Sequence, residues 1–400
     1  MIVDIFNFSI TAILIGICAA WVFLIKSMLV SFKETPYLDR FEKIKHDNPR
    51  VSIILPARNE EEFLRSCLDT LIDQDYPNYE IVAIDDSSDD STWQIISDYA
   101  KQNPKVIAVS ARPKPEGWMG KNWACMEGYK KATGELLLFT DADTKHAKNV
   151  ISLAVSHLLS FNLDALTVIP RMVSIDWWTK ITLPMISTFL HTRFSAVRVN
   201  DPSKKTGYFF GSFFIINKKT YDQVGTHEGV KQEIIEDGAL GKKVKDSGHK
   251  MKMVRGEHLI DAIWARDRGT LWNALKRLMI PLYLQSQGIA VGIFFAVLFL
   301  LFMPFPFLAY STINGFGTVS NSMVLISSSM ASILIYTGAV IEVKKGLDLR
   351  ITHAVFGPIG SLVVVFGFLS GLLQAKKKSS VSWRGRSYSM KDHVQDSIRI

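Results

Sequence analysis

Val51-Ser-Ile-Ile-Leu-Pro-Ala-Arg-Asn-Glu60 and Tyr79-Glu-Ile-Val-Ala-Ile-Asp-Asp-Ser-Ser-Asp-Asp90 are built alike: a short apolar run rich in Ile and Val ends in a polar cluster. Such runs are too short for a buried helix and read as buried strands. The segment between them, about Glu61 to Leu71, carries helical spacing. The alternation continues outward. Ser91 to Ala100 reads as a helix capped by Ser91 or a nearby Asp, and Val106 to Ala111 as a strand. Lys121 to Ala132 reads as a helix stopped by Gly134, and Glu135 to Thr140 as a strand. Strands alternating with helices predict an α/β domain, a mostly parallel, doubly wound sheet with helices on both faces. In such sheets ligands gather at the carboxyl ends of the strands.

The unusual polar clusters fall at those ends. The first strand runs into Pro56-Ala-Arg-Asn-Glu60, the second into Asp85-Asp-Ser-Ser-Asp-Asp90, the fourth into Asp141-Ala-Asp143. Each alone reads as a loop with helix-capping acids. Together they crowd carboxylates on one rim, which is costly without a cation or hydrogen-bond donors. A divalent metal with phosphate ligands answers that charge, because Mg²⁺ and Mn²⁺ take oxygen ligands from one or two carboxylates plus substrate phosphates. Gly117-Trp-Met-Gly-Lys121 opens a helix, where glycines admit a ligand close to the backbone, the helix N-terminus favours an anion and Lys121 adds charge.

Composition narrows the function. The chain has 400 residues and a net charge of +8, much of it beside apolar segments and in the C-terminal tail. No basic stretch carries the aromatics of a nucleic-acid module, so no nucleic-acid partner is expected. Three scattered cysteines exclude a disulfide framework, and nine histidines without a metal-binding motif speak against a zinc enzyme.

Ile5 to Val30 is apolar apart from Lys26, longer than the roughly 20 residues a crossing needs. Asp4 precedes it, and Lys33, Arg40, Lys43 and Lys45 follow, so the expectation is an uncleaved anchor with the next domain cytosolic. Further spans are expected near Met279 to Phe302, Ser322 to Val343 and Ala354 to Leu373, with Pro304 to Asn321 as an outside loop. A third C-terminal crossing would export Lys376, Lys377, Lys378, Arg384 and Arg386, against the positive-inside rule. A re-entrant segment at Gly357-Pro358 or a hidden extra crossing are both open. The expected organisation is an anchor at 1–34, a soluble domain at 35–275 with interfacial helices at about 174–198, transmembrane segments at 276–375 and a basic cytosolic tail at 376–400. Trp177 and Trp178 suit the headgroup region.

The ordered motifs resemble the family 2 glycosyltransferases, whose core is the GT-A nucleotide-diphospho-sugar transferase fold, over roughly residues 50 to 275. The resemblance implies that Pro56, Ala57, Asn59, Glu60, Asp85 and Asp86 hold the nucleoside and that Asp141 and Lys121 serve the donor. It assigns Asp143 to a divalent metal, Mg²⁺ or Mn²⁺. Ile235-Glu-Asp-Gly238 is similar to the family's Glu-Asp motif, which implies Asp237 as catalytic base beside Glu236; two acids opening a helix are the plainer reading. The family's Gln-x-x-Arg-Trp string is missing. Arg268 and Trp272 lie near its place, as acceptor or diphosphate contacts. Val381-Ser-Trp-Arg-Gly-Arg-Ser-Tyr388 resembles the tail of carotenoid- and hopanoid-associated members, and more loosely of ceramide glucosyltransferase. It reads as a membrane-interface anchor or as a lid whose Trp383, Arg384 and Arg386 meet the donor diphosphate. The expected activity is transfer of a sugar, from a UDP-sugar before other nucleotide-sugars, to a lipid by an inverting membrane enzyme. A polyprenyl-phosphate sugar synthase and a non-catalytic scaffold are the alternatives.

Overall fold

The computed structural model describes residues 2–41, 47–315, 317–377, 380–383 and 386–389. In chain order it runs α1 (Ile2–Glu34), β1 (Val51–Ala57), α2 (Leu64–Ile72), β2 (Tyr79–Asp85), α3 (Thr92–Gln102), β3 (Val106–Ser110), α4 (Gly120–Tyr129), β4 (Leu136–Phe139), β5 (Thr144–His146), α5 (Val150–Ser160), β6 (Ala165–Ile169) and β7 (Arg171–Val173). It continues through α6 (Trp177–Ser187), α7 (Leu190–Arg193), α8 (Ala196–Asn200), β8 (Phe214–Asn217), α9 (Lys218–Gln223), α10 (Glu236–Asp246), β9 (Met251–Arg255) and β10 (Ile260–Ile263). It ends with α11 (Arg268–Gln285), α12 (Gln287–Leu301), α13 (Pro304–Ile313), α14 (Val319–Lys345), α15 (Thr352–Val355), α16 (Gly357–Lys377), β11 (Ser380–Trp383) and β12 (Arg386–Ser389).

Two compact units divide the chain. One holds the described parts of Glu34–Val173, Ala196–Trp264 and Ser382–Ile400; the other holds those of Met1–Lys33, Ser174–Ser195 and Ala265–Val381. In the first, the sheet order is β3-β2-β1-β4-β8-β6-β9. β8 runs antiparallel to β4 and β6, and the other pairs are parallel, so the expected mostly parallel sheet is present. Side chains alternate across it. Ile53, Leu55, Ile81 and Leu138 enter one buried cluster, with Leu64, Leu68 and Val155 from the helices on that side. Ile54, Val82, Ile84, Leu137 and Phe139 enter the cluster on the opposite face, with Ala124 and Leu240. Burial on both faces explains why these strands read as continuous apolar runs. Order 3-2-1-4 reverses direction between β1 and β4, which makes their carboxyl ends the switch point of the sheet.

Local chemistry sets the helix ends. Of the two expected caps for α3, a nearby Asp is the one seen: Asp90 Oδ1 accepts the Thr92 N–H at 2.9 Å. α4 ends at Tyr129, and the Gly134 N–H instead donates to Ser52 Oγ at 2.7 Å, joining the chain to β1.

In the second unit, α1, α14 and α16 are each long and apolar enough to cross a membrane. The expected span at Met279 to Phe302 is divided. Ser286 sits in an extended conformation (φ −157°), ends α11 and accepts the Ile289 N–H that opens α12. The expected outside loop at Pro304 to Asn321 is also corrected. Pro304 stands at the first helical position, where its missing N–H costs nothing, and α13 follows to Ile313. α12 and α13 make a pair bent by 48° that together has the length and composition of one span. Within this unit Trp21 donates to the Leu300 carbonyl at 2.7 Å, and Ser187 and His191 meet the buried Glu342 carboxylate at 3.0 and 2.6 Å.

Candidate active site

The backbone brings the first two polar loops together before any side chain acts. Asp86 N–H donates to the Ala57 carbonyl at 2.9 Å, so the ends of β1 and β2 close on each other. Asn59 adopts a left-handed conformation (φ 53°), which Asn tolerates better than most residues. Its Oδ1 accepts the Asp89 N–H at 2.9 Å, and its own N–H donates to Ser88 Oγ at 3.1 Å. The Glu60 N–H donates to Thr92 Oγ1 at 2.8 Å. Asn59 and Glu60 therefore frame the rim, with Pro56 and Ala57 as the last residues of β1. Arg58, which the sequence reading left aside, spans the same gap: its Nη1 donates to the Asp86 carbonyl at 2.6 Å.

A second cluster lies at the ends of β4 and at α10. Lys121 Nζ is 2.7 Å from Asp141 Oδ1 and 2.6 Å from Glu236 Oε1. Burial opposes the ammonium charge, but Asp141, Glu236 and Asp237 hold its pKa well above the usual lysine range. Asp237 Oδ2 accepts the Gly211 N–H at 2.7 Å, and Oδ1 accepts the Gly238 N–H at 2.8 Å. Withdrawal from water, reinforced by Glu236, pushes the Asp237 pKa up to about 7, while Lys121 pulls against the rise. Gly211 is the floor of this cluster. A Cβ there would stand 2.8 Å from Asp237 Oδ2 and 3.1 Å from Lys121 Nζ.

The turn between β4 and β5 presents Asp141 and Asp143 on either side of the buried Ala142. Thr144 Oγ1 donates to the Asp141 carbonyl at 2.6 Å, and Thr140 Oγ1 donates to the Ser212 carbonyl at 2.7 Å, so the turn is fixed from both ends. Among the described residues no three His, Cys, Asp or Glu side chains form a ready-made metal cage. The donor set is one of hard oxygens, which fits an octahedral divalent cation that takes its remaining ligands from phosphates.

Asp86 is buried at the end of β2. Its Oδ2 pairs with Arg386, its Oδ1 has no partner among the described residues, and burial raises its pKa. Asp85 Oδ1 and Oδ2 each lie 3.3 Å from the Ser88 N–H. The first turn of α4 joins the two clusters through consecutive residues: a Cβ at Gly120 would stand 2.7 Å from Asp86 Oδ2, and Lys121 holds Asp141 and Glu236.

The structure thus gathers Asp85, Asp86, Lys121, Asp141, Glu236, Asp237 and Arg386 in one unit, with Pro56, Ala57, Asn59 and Glu60 at the same strand ends. Arg268 and Trp272 belong to the other unit, on α11. There they line a groove of about 410 Å³ with Leu362, Phe366 and Leu373 of α16. The Arg268 guanidinium stacks over Trp178 at 5.1 Å. Arg384 lies outside the described residues, as does the Trp383 side chain. His227 has no site role: buried against Phe139, it meets Tyr221 Oη at 2.5 Å, and burial lowers its pKa to about 3. Tyr388 was missed. It follows Arg386 by two residues on a strand, and that spacing, which shares one face, is the signal that finds it.

Comparisons with known proteins bear on the family and the fold. Residues 52–236 match the family model Glycosyl transferase family 2. The 4,4'-diaponeurosporenoate glycosyltransferase of Staphylococcus aureus (strain USA300) is 25% identical over 201 residues, 50% of this chain and 52% of that protein. The protein of the same name from Staphylococcus haemolyticus is 27% identical over 212 residues, 52% of this chain and 55% of that one. The chain therefore spans about half the length of the curated relatives it matches. Among solved structures, the mannosyltransferase PcManGT from Pyrobaculum calidifontis, in complex with GDP-Man and Mn2+, aligns with a TM-score of 0.53 at 18% identity, over 92% of this chain and 100% of that one. That likeness shows the GT-A fold.

Proposed function

We propose, from the match of residues 52–236 to the family 2 glycosyltransferase model, that the chain is a membrane-bound inverting enzyme moving a sugar from a nucleotide-diphospho-sugar to a lipid or isoprenoid acceptor. The observation that carries this reading is the quartet Lys121, Asp141, Glu236 and Asp237, with one carboxylate poised near neutral pH at the carboxyl ends of the strands. A base works best when its pKa lies near the operating pH. Asp237 takes the proton of the acceptor hydroxyl as that oxygen attacks the anomeric carbon. Lys121 offsets the negative charge around it and offers a cation to the donor diphosphate. Asp143, with Asp141 beside it, would hold a divalent cation, as the Mn2+ complex of the structural neighbour suggests. When bound, the cation supplies charge stabilisation at the departing diphosphate.

The acceptor class rests on two further observations. The relatives carry the name of a carotenoid acid glycosyltransferase. In the apolar unit, Arg268 stands exposed beside an apolar groove, a place for an anionic or polar head on a long hydrocarbon chain. To test the reading, the purified chain is incubated with a panel of nucleotide-sugars and total membrane lipid, and products are read by mass spectrometry. A glycosylated lipid is expected. Hydrolysis of the donor alone, or no reaction across the panel, would remove the lipid glycosyltransferase reading.

Lys33 in the last turn of α1 and Arg40 beyond it favour a cytosolic catalytic domain at the cell membrane. Single cysteines at Lys101 and Gly317 in a cysteine-free variant test this. An impermeant thiol reagent on intact cells should label the cysteine replacing Gly317 and spare the one replacing Lys101. The reverse pattern would invert the orientation.

A further inference from the structure

Two segments that lie far apart in sequence, the end of β2 and the C-terminal strand, meet at Gly120. Arg386 and Tyr388 stand two residues apart on β12, so they share one face of the strand. The Arg386 guanidinium pairs with the Asp86 carboxylate, and its Nη2 donates to the Asp86 carbonyl at 3.1 Å. Tyr388 Oη accepts the Gly120 N–H at 3.3 Å. Gly120 is the first residue of α4, and Met119 before it has no side-chain cap to offer. A helix opens with unsatisfied N–H groups, and here one of them is met by the far end of the chain. The fit is close. A Cβ at Gly120 would lie 2.7 Å from Asp86 Oδ2, 2.7 Å from Tyr388 Oη and 2.9 Å from Arg386 Nη1. All four residues lie in one compact unit.

We propose that the C-terminal strand is a working wall of the nucleotide site, with Arg386 and Tyr388 as positioning residues for the donor. The inference rests on the nucleotide-sugar reading above. Asp85 and Asp86 together present two carboxylates to a ligand that is itself an anion. Arg386 neutralises one of them inside a buried setting, where an unpaired charge is costly. It also fixes which oxygen remains free. Oδ2 is taken, and Oδ1 stays without a partner among the described residues, buried and able to accept one hydrogen bond from a nucleoside hydroxyl or N–H. Tyr388 holds the first N–H of α4 through an oxygen whose own proton is left to donate onward. The tail thus presets the site.

The pairing also constrains the membrane topology. Arg386 reaches Asp86 only if the tail and the catalytic domain share one side of the bilayer. The chain between Trp264 and Ser382 then crosses an even number of times. The candidate spans of this stretch, the bent pair α12–α13, α14 and α16, then do not all traverse.

The test measures binding of UDP and of GDP to the full chain in lipid nanodiscs by calorimetry, beside donor KM and kcat. Arg386→Ala should weaken nucleotide binding by about tenfold or more, because Asp86 is left as an unpaired buried carboxylate facing an anionic ligand. Donor KM should rise in step while kcat at saturating donor stays within about threefold. Arg386→Lys, which keeps the charge and loses the fork, should fall between. It also serves if Arg386→Ala does not fold. Unchanged affinity in both variants would make the tail a merely structural strap, and tighter binding would make it a competitor for the donor's place; either overturns the proposal. Failure of the wild type to bind either nucleotide would remove the donor reading itself, and this inference with it. Lipid glycosylation intact with nucleotide affinity unmoved by Arg386→Ala would sink only the inference. A cysteine at Lys376 should be spared by the impermeant reagent like that at Lys101; labelling with the Gly317 pattern would contradict the shared side.

Discussion

Asp237→Asn lowers kcat by about 10²- to 10⁴-fold, the usual range for loss of a general base, and leaves nucleotide-sugar affinity close to wild type. The side chain lies in the half of the site proposed to face the acceptor, where its oxygens accept the Gly211 and Gly238 N–H groups. Asparagine keeps the shape and one acceptor oxygen, so the quartet should assemble. The size of the loss also separates acceptor classes. A hydroxyl needs a base, whereas a carboxylate or lipid phosphate is already ionised and should show a small loss. Collapse of donor affinity together with turnover would reassign Asp237 to the diphosphate.

The pH profile gives the same group a second signature. Asp237 accepts a proton only when ionised, so wild-type kcat should rise with pH through about 7 and level off above it. Asp237→Asn should lack that limb. Stability runs the other way. A carboxyl whose folded pKa is raised above its ordinary value of about 3.9 stabilises the fold most below that value, and loses its contribution as pH climbs through about 7. The melting temperature of Asp237→Asn relative to wild type should therefore be higher at pH 8 than at pH 5. An equal difference at both values would mean that the buried carboxylate is not strained by its surroundings.

Much of this site was legible in the order of the residues. The Val51–Leu55 and Tyr79–Ile84 runs could be placed as strands because both faces are buried, and a rim at their carboxyl ends follows from strand direction alone. The pairing of Lys121 with Glu236 was not legible. It depends on α10 arriving beside α4, and no local pattern encodes that distance. The apolar unit shows the limit from the other side. Hydropathy sums over Met279 to Phe302 without detecting the break at Ser286, which is a matter of a single extended residue and a cap. The tail was readable as aromatic and basic, but its partner lies 300 positions earlier, and only the fold brings Arg386 to Asp86.

Asp143→Asn should nearly abolish turnover, and excess chelator should do the same to the wild type. Asp141 and Asp143 flank Ala142 at this turn, and among the described residues no three-carboxylate cage stands ready, so a cation held there must draw other ligands from the donor. Such a site is half-built by the substrate, and it should bind metal weakly without nucleotide and tightly with it. Charge stabilisation by a cation at a departing diphosphate is worth several kcal/mol, and each 1.36 kcal/mol is tenfold in rate. A loss of roughly 10³-fold or more is therefore expected. Binding provides a readout apart from turnover. Wild type and Asp237→Asn should bind nucleoside diphosphate more tightly when Mn²⁺ or Mg²⁺ is present, and Asp143→Asn should lose that dependence while keeping its metal-free affinity. Full turnover in chelator would mean that Lys121 and Arg386 alone carry the charge of the leaving group.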